Sequence, residues 1–195
     1  MPDVARLRSF VQSFTRLVEH AGGDEERIFA EGRALLSELI RHDDWLPDEF
    51  ARPSPERYQQ YLLYCDPLER FSVVSFVWGP GQTTPIHDHT VWGLVGVMRG
   101  MERCEEFDAS AGGMRATGRH ELKVGGIDLV SPRIGDVHRV SNALADRASV
   151  SIHVYGANIG AVKRHVYEPQ TGRRQTFVSG YAGSVIPNIW DRSAE

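Results

Sequence analysis

Two histidines separated by a single residue are the first group in this chain whose types and spacing suit chemistry. His87 and His89 lie between Gly81 and Gly100, in a stretch whose Val, Leu and Trp residues favour a β-strand. Alternate side chains of a strand point to the same face, so the two imidazoles would converge on one point. Imidazole nitrogens are good ligands for divalent transition metals. The pair alone is a weak signal, and a metal site needs further ligands.

A third histidine follows a turn that contains proline and glycine. Pro132, Gly135, His138 and Asn142 match, position for position, the second motif of the cupin superfamily, and the stretch from Gly81 to Gly100 resembles its first motif. The resemblance implies a mainly β fold, a cupin jelly-roll sandwich or barrel. The metal ligands that it implies are His87, His89 and His138.

The first motif departs from the usual cupin pattern at one position. Most cupins place a glutamate ligand where this chain has Gly93, and the next acidic residues, Glu102, Glu105 and Glu106, follow the motif and are poor substitutes. The sequence therefore predicts three neutral histidines and no carboxylate, which leaves roughly three positions open on a six-coordinate metal.

A second polar row occurs at Ser151, His153 and Tyr155, which alternate with Ile152 and Val154. In a strand the three polar side chains share one face, where they must be solvated or hydrogen-bonded. Periodicity alone leaves two interpretations open. The row is either a solvent-facing edge or a relay in which the serine holds the imidazole, the imidazole holds the phenol and the phenol reaches the metal pocket.

Three metal-site histidines without the glutamate, followed by Ser-x-His-x-Tyr, resemble the thiol dioxygenases of the cysteine dioxygenase family over nearly the whole chain. The resemblance implies a mononuclear non-haem Fe(II) cofactor held by His87, His89 and His138. It implies O2 and a small thiol as reactants and a sulfinic acid as product. The catalytic relay that it implies consists of Ser151, His153 and Tyr155.

Two departures refine this resemblance. Mammalian-type members cross-link the tyrosine to a cysteine after His-x-His, whereas this chain has Gly93 in that region; they also bind the substrate carboxylate with an arginine where this chain has Gln60. Both changes resemble bacterial members that prefer 3-mercaptopropionate and use an arginine beyond the tyrosine. Arg164, nine residues after Tyr155, is the best match, although most arginines are exposed and a surface charge is the alternative. The other candidates are Arg133, Arg139 and Arg173.

Composition narrows the class of protein. The 195 residues are 41% hydrophobic and 25% charged, as expected of a globular domain with a sizeable core. A formal net charge of -4 gives no case for nucleic acid or anionic membrane as a partner, and no apolar run approaches the ~18 residues of a membrane span. Cys65 and Cys104, the two cysteines, favour a reducing cytoplasmic location and structural roles.

The order of the elements predicts helices first and strands afterwards. Apolar spacing predicts helices over 4–20 and from Asp24 to about His42, and residues 55–64 form either a short helix or an irregular segment. Many short strands separated by Gly and Pro turns indicate a sandwich or barrel. We expect strands near 71–78, 91–98, 101–107, 119–124, 127–130, 137–141, 148–155, 162–168 and 173–178. The expected organisation is one cupin domain over 1–195, with a mainly helical lead-in at 1–70, a barrel at 71–180 and a tail at 181–195.

Two other functions fit parts of the pattern. One is a different cupin enzyme, such as a Zn or Mn isomerase or hydrolase on three histidines, and the other is a cupin that binds a small ligand without catalysis. The absent glutamate and the Ser-His-Tyr row favour the dioxygenase. The sequence leaves open the choice between cysteine and 3-mercaptopropionate, and the oligomeric state.

Overall fold

Two amphipathic helices precede the strands in the computed structural model, which describes residues 4–110 and 112–183. Helix α1 (Ala5–Ala21) buries Phe10, Phe14 and Leu17 and ends at Gly22, which has the positive φ of 57° that glycine adopts readily. Helix α2 (Glu25–Ile40) begins after Asp24, whose carboxylate accepts a hydrogen bond from the backbone N–H of Arg27. Both predicted helices are confirmed to within two residues, and a 3-10 helix follows at Asp48–Ala51.

Two antiparallel sheets account for the rest of the described chain, which confirms the mainly β prediction. The five-stranded sheet has the order β1-β2-β9-β4-β7 and the six-stranded sheet the order β11-β10-β3-β8-β5-β6. The strands are β1 (Gln59–Cys65), β2 (Ser72–Trp78), β3 (Ile86–His87), β4 (Gly93–Arg99), β5 (Met101–Ser110), β6 (Gly113–Lys123), β7 (Ile127–Val130), β8 (His138–Asn142), β9 (Ser149–Tyr155), β10 (Arg164–Tyr167) and β11 (Arg174–Phe177).

The prediction for residues 55–64 was wrong, because β1 occupies most of this segment. It pairs antiparallel with β2, from Gln59 opposite Val77 to Cys65 opposite Ser72. Both faces of β1 are used for packing: Leu62 joins the barrel interior, and Tyr61 packs on the opposite side. The sequence of β1, Gln-Gln-Tyr-Leu-Leu-Tyr-Cys, does not alternate polar and apolar residues, because both of its faces pack against other residues.

The five-stranded sheet has two buried faces, which we name by what covers them. The helix-packed face lies under α1 and α2, and the interior face looks into the barrel. Members of the helix-packed face are Val73, Val77, Leu94, Val150, Ile152 and Val154. Members of the interior face are Val74, Phe76, Trp78, Ser151, His153 and Tyr155.

The predicted division into lead-in, barrel and tail stays a prediction. Strand β1 falls inside the predicted lead-in, and residues 184–195 of the predicted tail lie outside the described residues. Among the helices of the described part, none is both long and apolar enough to cross a membrane.

Candidate metal centre and its pocket

The three predicted ligand histidines come together at the barrel interior. His87 on β3 lies directly opposite His138 on β8, and His89 follows two residues after His87, beyond the end of β3. The three ring centroids are 4.8 to 4.9 Å apart, a nearly equilateral triangle. One ring nitrogen of each histidine lies within 4.8 Å of the others, and all three residues are buried. Such a triangular face of donors can hold one metal ion and leave its other side open.

Each histidine is oriented by a contact at its Nδ1 atom. For His87 the partner is the carbonyl oxygen of Pro85 at 3.1 Å, and for His89 it is Asp136 Oδ1 at 2.8 Å. A carbonyl oxygen only accepts hydrogen bonds, so Nδ1 of His87 carries the proton and its Nε2 keeps a free lone pair. The Nδ1 of His138 lies 3.4 Å from the Sγ of Cys104. Contacts of this kind at the second nitrogen fix the orientation of metal-binding imidazoles.

Burial keeps these imidazoles in the neutral form that binds metals. The pKa values of His87 and His138 lie well below the usual value, first because burial disfavours the charged form and then because neighbouring histidines repel a further charge. Burial opposes ionisation of Asp136, but hydrogen bonds with His89 and the backbone N–H of Thr90 outweigh it and lower its pKa. His87 and His138 therefore offer neutral nitrogen donors, and the third donor is the ring nitrogen of His89 that does not contact Asp136.

Asp136 also shapes the turn that carries His89, and sequence reasoning missed it. Its carboxylate accepts hydrogen bonds from the backbone N–H groups of His89 and Thr90, at 2.8 to 3.0 Å. Thr90 has a φ of 61°, which β-branched residues rarely adopt. The only signal for Asp136 in the sequence was its position inside the second cupin motif, between the motif residues Gly135 and His138. The motif itself does not specify a residue at that position.

Cys104 is the second residue that sequence reasoning missed. It is buried on β5, which pairs with β8, and its sulfur approaches His138 from the side opposite the pocket. Burial raises its pKa to about 12, so the thiol is neutral. The expectation of a structural cysteine did not include this contact with a ligand histidine, because the contact depends on the pairing of two strands that are distant in sequence.

The Ser-His-Tyr row forms a continuous hydrogen-bonded chain on the interior face. Ser151 Oγ lies 2.7 Å from His153 Nε2, and His153 Nδ1 lies 2.8 Å from the hydroxyl of Tyr155. All seven residues of β9 are buried, so the alternative of a solvent-facing row is wrong. Burial lowers the pKa of His153 and raises that of Tyr155, which keeps both groups neutral.

A cavity of about 230 Å³ connects this chain with the three histidines and with Arg164. Arg164 is only 3% exposed, so the alternative of a surface charge is wrong. Its guanidinium lies 4.8 Å from the centroid of the Phe177 ring and donates a hydrogen bond to Ser179. Its Nε has no hydrogen-bond partner within the described residues. A buried, incompletely paired guanidinium is a strong site for an anion.

Gln60 lies beside Arg164 and faces the same cavity. Its carboxamide donates to Ser179 Oγ at 3.2 Å and to the carbonyl of Gly180 at 3.0 Å, so its amide hydrogens hold the segment after β11.

The other candidate arginines lie elsewhere. Arg133 and Arg173 are exposed, and Arg139 pairs with Glu105 at 3.0 Å. None of the three lines the cavity.

Gly93 lies directly against the ring of Tyr155, which its strand pairing places opposite it. A Cβ atom at position 93 would be 2.7 and 2.9 Å from two carbons of that ring and 2.9 Å from Val130. The ring therefore occupies the space that any larger residue at position 93 would need.

A second group of possible ligand atoms lies behind His138. Cys104, His120 and Asp128 each place one such atom within 4.8 Å of the others, beside a separate cavity of about 380 Å³. His120 and Asp128 already pair at 2.6 Å.

Comparison with known proteins places this site in a family. A family model described as cysteine dioxygenase type I matches residues 2–168. A curated protein named "Cysteine dioxygenase type 1" from Danio rerio is 25% identical over 138 residues, which cover 68% of this chain and 66% of that protein. The match therefore spans slightly less than two thirds of the relative's length.

Solved structures with a similar fold share little sequence with this chain. A conserved protein with a double-stranded β-helix domain from Klebsiella pneumoniae has 19% identity and a TM-score of 0.46, and the alignment covers 69% of this chain and 96% of that one. An RmlC-like cupin from Desulfovibrio desulfuricans has 20% identity and a TM-score of 0.41, with 54% and 88% covered. The family match and the two-sheet topology confirm the cupin jelly-roll with helices at its N-terminus.

Proposed function

Because the chain belongs to the cysteine dioxygenase type I family, we propose that it is a thiol dioxygenase acting on a small thiol that carries a carboxylate. The reaction adds both atoms of O2 to the sulfur and gives the sulfinic acid, so that sulfur is oxidised and O2 is reduced. The observation that carries the proposal is that three clustered histidines and a buried arginine open into one cavity of about 230 Å³.

Fe(II) is the metal that we propose for the three histidines. The donor set fits: His87, His89 and His138 each offer one ring nitrogen, and no carboxylate lines the cavity among the described residues. An uncompensated metal charge favours anionic ligands such as a thiolate. The metal would supply the redox chemistry, while the protein positions the reactants.

Arg164 would bind the substrate carboxylate. Its guanidinium is buried and has an Nε–H without a partner in the described part of the chain, so a carboxylate would satisfy it with a charge-assisted bond. The Gln60 carboxamide is uncharged and already donates to two oxygens, so it would line the subsite without pairing with the charge.

We propose 3-mercaptopropionate as the preferred substrate, ahead of cysteine. The two thiols differ by the ammonium group of cysteine, which needs an acidic or carbonyl partner when it is buried. No Asp or Glu is among the described residues that line the cavity, and the Arg164 guanidinium would repel the ammonium. The cavity therefore favours the thiol that carries the carboxylate alone.

The Ser151–His153–Tyr155 chain would orient the phenol toward the substrate. His153 is held between the serine and tyrosine hydroxyls, and Phe76 stacks on its ring with centroids 4.2 Å apart. The phenol is thus fixed at the cavity wall as a hydrogen-bonding group for the thiol or its carboxylate.

A kinetic matrix tests the substrate assignment. The iron-loaded protein is assayed for O2 consumption with 3-mercaptopropionate, cysteine and cysteamine, which lacks the carboxylate. Loss of one charge-assisted bond in Arg164→Ala should reduce kcat/KM for 3-mercaptopropionate by about 10- to 150-fold and leave the poor activity with cysteamine almost unchanged.

Two further variants sharpen this matrix. Arg139→Ala, which removes an arginine outside the cavity, should behave like the wild type, and Gln60→Arg should change the ratio between cysteine and 3-mercaptopropionate. Equal losses for cysteamine and 3-mercaptopropionate in Arg164→Ala would contradict the carboxylate role. A tenfold wild-type preference for cysteine would overturn the substrate but not the reaction.

A further inference from the structure

A buried carboxyl group lies behind the Ser151 end of the hydrogen-bonded chain. Glu102, on β5, is 2% exposed, and its Oε1 accepts a hydrogen bond from Ser149 Oγ at 3.1 Å. Its other oxygen, Oε2, has no well-formed hydrogen bond within the described residues. A buried carboxylate oxygen without a partner is costly, so this atom calls for an explanation.

The Ser151 hydroxyl connects this carboxyl group to the relay. Hydrogen bonding from Ser151, as well as from Ser149, favours the ionised form of Glu102, and the Trp78 indole acts in the same direction. A serine hydroxyl has one proton, which it can donate either to His153 Nε2 or to Glu102 Oε2. When the proton points to the histidine, the carboxylate oxygen is left without a donor.

The substrate pocket itself offers no other anionic base. Its lining includes the neutral side chains of His153, Tyr155 and Tyr58 but no carboxylate among the described residues. Asp136 is reached only through His89, whose Nε2 faces the metal position. Glu102 is therefore the carboxylate next to the Ser151 end of the relay, with no metal ligand between it and the pocket.

We propose that Glu102 is the terminal proton acceptor of the Ser151–His153–Tyr155 chain and takes up the proton that a thiol loses on binding. This inference rests on the proposed function. As the S–H bond breaks, the Tyr155 oxygen takes the proton and passes its own to His153 Nδ1. The Nε2 proton moves to Ser151, and the serine proton moves to Glu102. A thiolate and a neutral carboxyl group result, and the three groups between them remain neutral with their hydrogen bonds reversed.

The acidity of Glu102 suits this role. Burial, the largest cause, raises its pKa to about 7, and Asp128 raises it further, while the serine and indole donors lower it. A base whose pKa lies near the working pH can both accept and release a proton.

A small cavity next to Glu102 shares lining residues with a larger cavity. A cavity of about 10 Å³, comparable with the space one water needs, is lined by Glu102, Cys104, Asp128 and His138. Asp128 and Cys104 also line the cavity of about 380 Å³, where the half-exposed His120 pairs with Asp128. A proton stored on Glu102 therefore has an ionisable pair between it and the surface.

Infrared difference spectroscopy tests the proposal without turnover. Under anaerobic conditions at pH 8, 3-mercaptopropionate is added to the iron-loaded protein, and the protonated-carboxyl C=O band is followed with 13C-labelled glutamate. The band should appear in the wild type and in Glu121→Gln, whose exposed carboxylate pairs with Arg103. It should be absent in Glu102→Gln, and also in Ser151→Ala, where the link to His153 is cut.

The pH profile gives a second readout that a structural role would not produce. At pH 8 Glu102→Gln should lower kcat/KM by about 100-fold, the scale of general-base assistance. Below pH 6 the wild-type carboxyl is already protonated, so the two proteins should converge. A thiol that binds and is oxidised without the carboxyl band would overturn the inference alone. A wild type that neither binds thiols nor consumes O2 with them would refute the proposed function and the inference together.

Discussion

The two faces of the five-stranded sheet are equally buried but chemically opposite. On the helix-packed face Val150, Ile152 and Val154 belong to the apolar cluster that the two helices complete. On the interior face the residues between them, Ser151 and His153, form hydrogen bonds of 2.7 and 2.8 Å. One strand, β9, thus separates a core that supplies stability from a pocket that supplies chemistry.

This contrast shows what polar alternation means in a buried strand. Burying a polar side chain costs free energy unless it finds a partner, so an interior polar row persists only as a connected network. Apolar residues at the same positions would pack more simply. The network on the interior face, from Tyr155 to Ser151, is therefore best understood as a functional element that the helix-packed face helps to hold in place.

The largest expected effect comes from breaking the metal site, which lies across the barrel interior from the interior face of the five-stranded sheet. His89→Ala removes one of three donors, so the protein should fail to retain iron and its activity should fall to that of metal-free protein. Metal analysis after anaerobic Fe(II) loading, together with O2 consumption, measures both effects. Full iron content with wild-type activity would refute the ligand assignment.

The matched change on the helix-packed face should have the opposite profile. Ile152→Ala removes a fully buried side chain and should reduce the free energy of unfolding by about 2–5 kcal/mol. Well below its melting temperature it should still bind iron, and its kcat should stay near that of the wild type. Loss of iron in this variant, while it remains folded, would show that the two faces are not separable.

The sequence predicted the chemistry of the barrel interior better than its geometry. The cupin motifs located His87, His89 and His138, because motif spacing survives without knowledge of strand pairing. The roles of Cys104 and Glu102 were not predicted, because their positions behind the site depend on how β5 pairs with β8 and packs near β9. Strand β1 was not predicted because both of its faces are covered. The burial of β9 was left open for the same reason, since alternation of polar and apolar residues does not show which face meets solvent when both faces are covered.

The next largest effect concerns the buried carboxyl group of Glu102. The pKa of Glu102 is raised from 4.5 to about 7 by burial, so the folded state binds this proton more tightly than the unfolded chain does. The contribution of Glu102 to stability should therefore be full below pH 4.5 and should fall by about 3 kcal/mol as the pH rises through 7. Glu102→Gln cannot ionise and should avoid this loss.

Chemical denaturation at pH 4.5 and pH 8 measures this difference. The gain in stability of Glu102→Gln relative to the wild type should grow by about 3 kcal/mol between the two values. The histidines titrate in both proteins and cancel in the comparison, and Glu121→Gln controls for loss of a surface charge. If the difference in stability between the two proteins is the same at pH 4.5 and pH 8, folding does not raise the pKa of Glu102.

The smallest effect uses two glycines of β4 that face opposite sides of the sheet. An added Cβ at Gly93 would lie 2.7 Å from the Tyr155 ring, and one at Gly96 would lie 2.9 Å from Ile40 on α2. Both Gly93→Ala and Gly96→Ala overpack a buried contact, so each should cost about 1–3 kcal/mol of stability.

Activity should separate these two variants. The Tyr155 hydroxyl is held 2.8 Å from His153, so a displaced ring in Gly93→Ala weakens that bond, which is worth about 0.5–1.5 kcal/mol, or about 2- to 12-fold in kcat. In Gly96→Ala the displaced groups are Ile40 and Leu36, which touch no part of the pocket, so kcat should be unchanged. Because the wild type lacks a cysteine at position 93, intact mass and peptide mapping should find its Tyr155 without a thioether. An equal fall of kcat in both variants would mean that strain crosses the sheet, and that the helix-packed face tunes the chemistry instead of only supporting it.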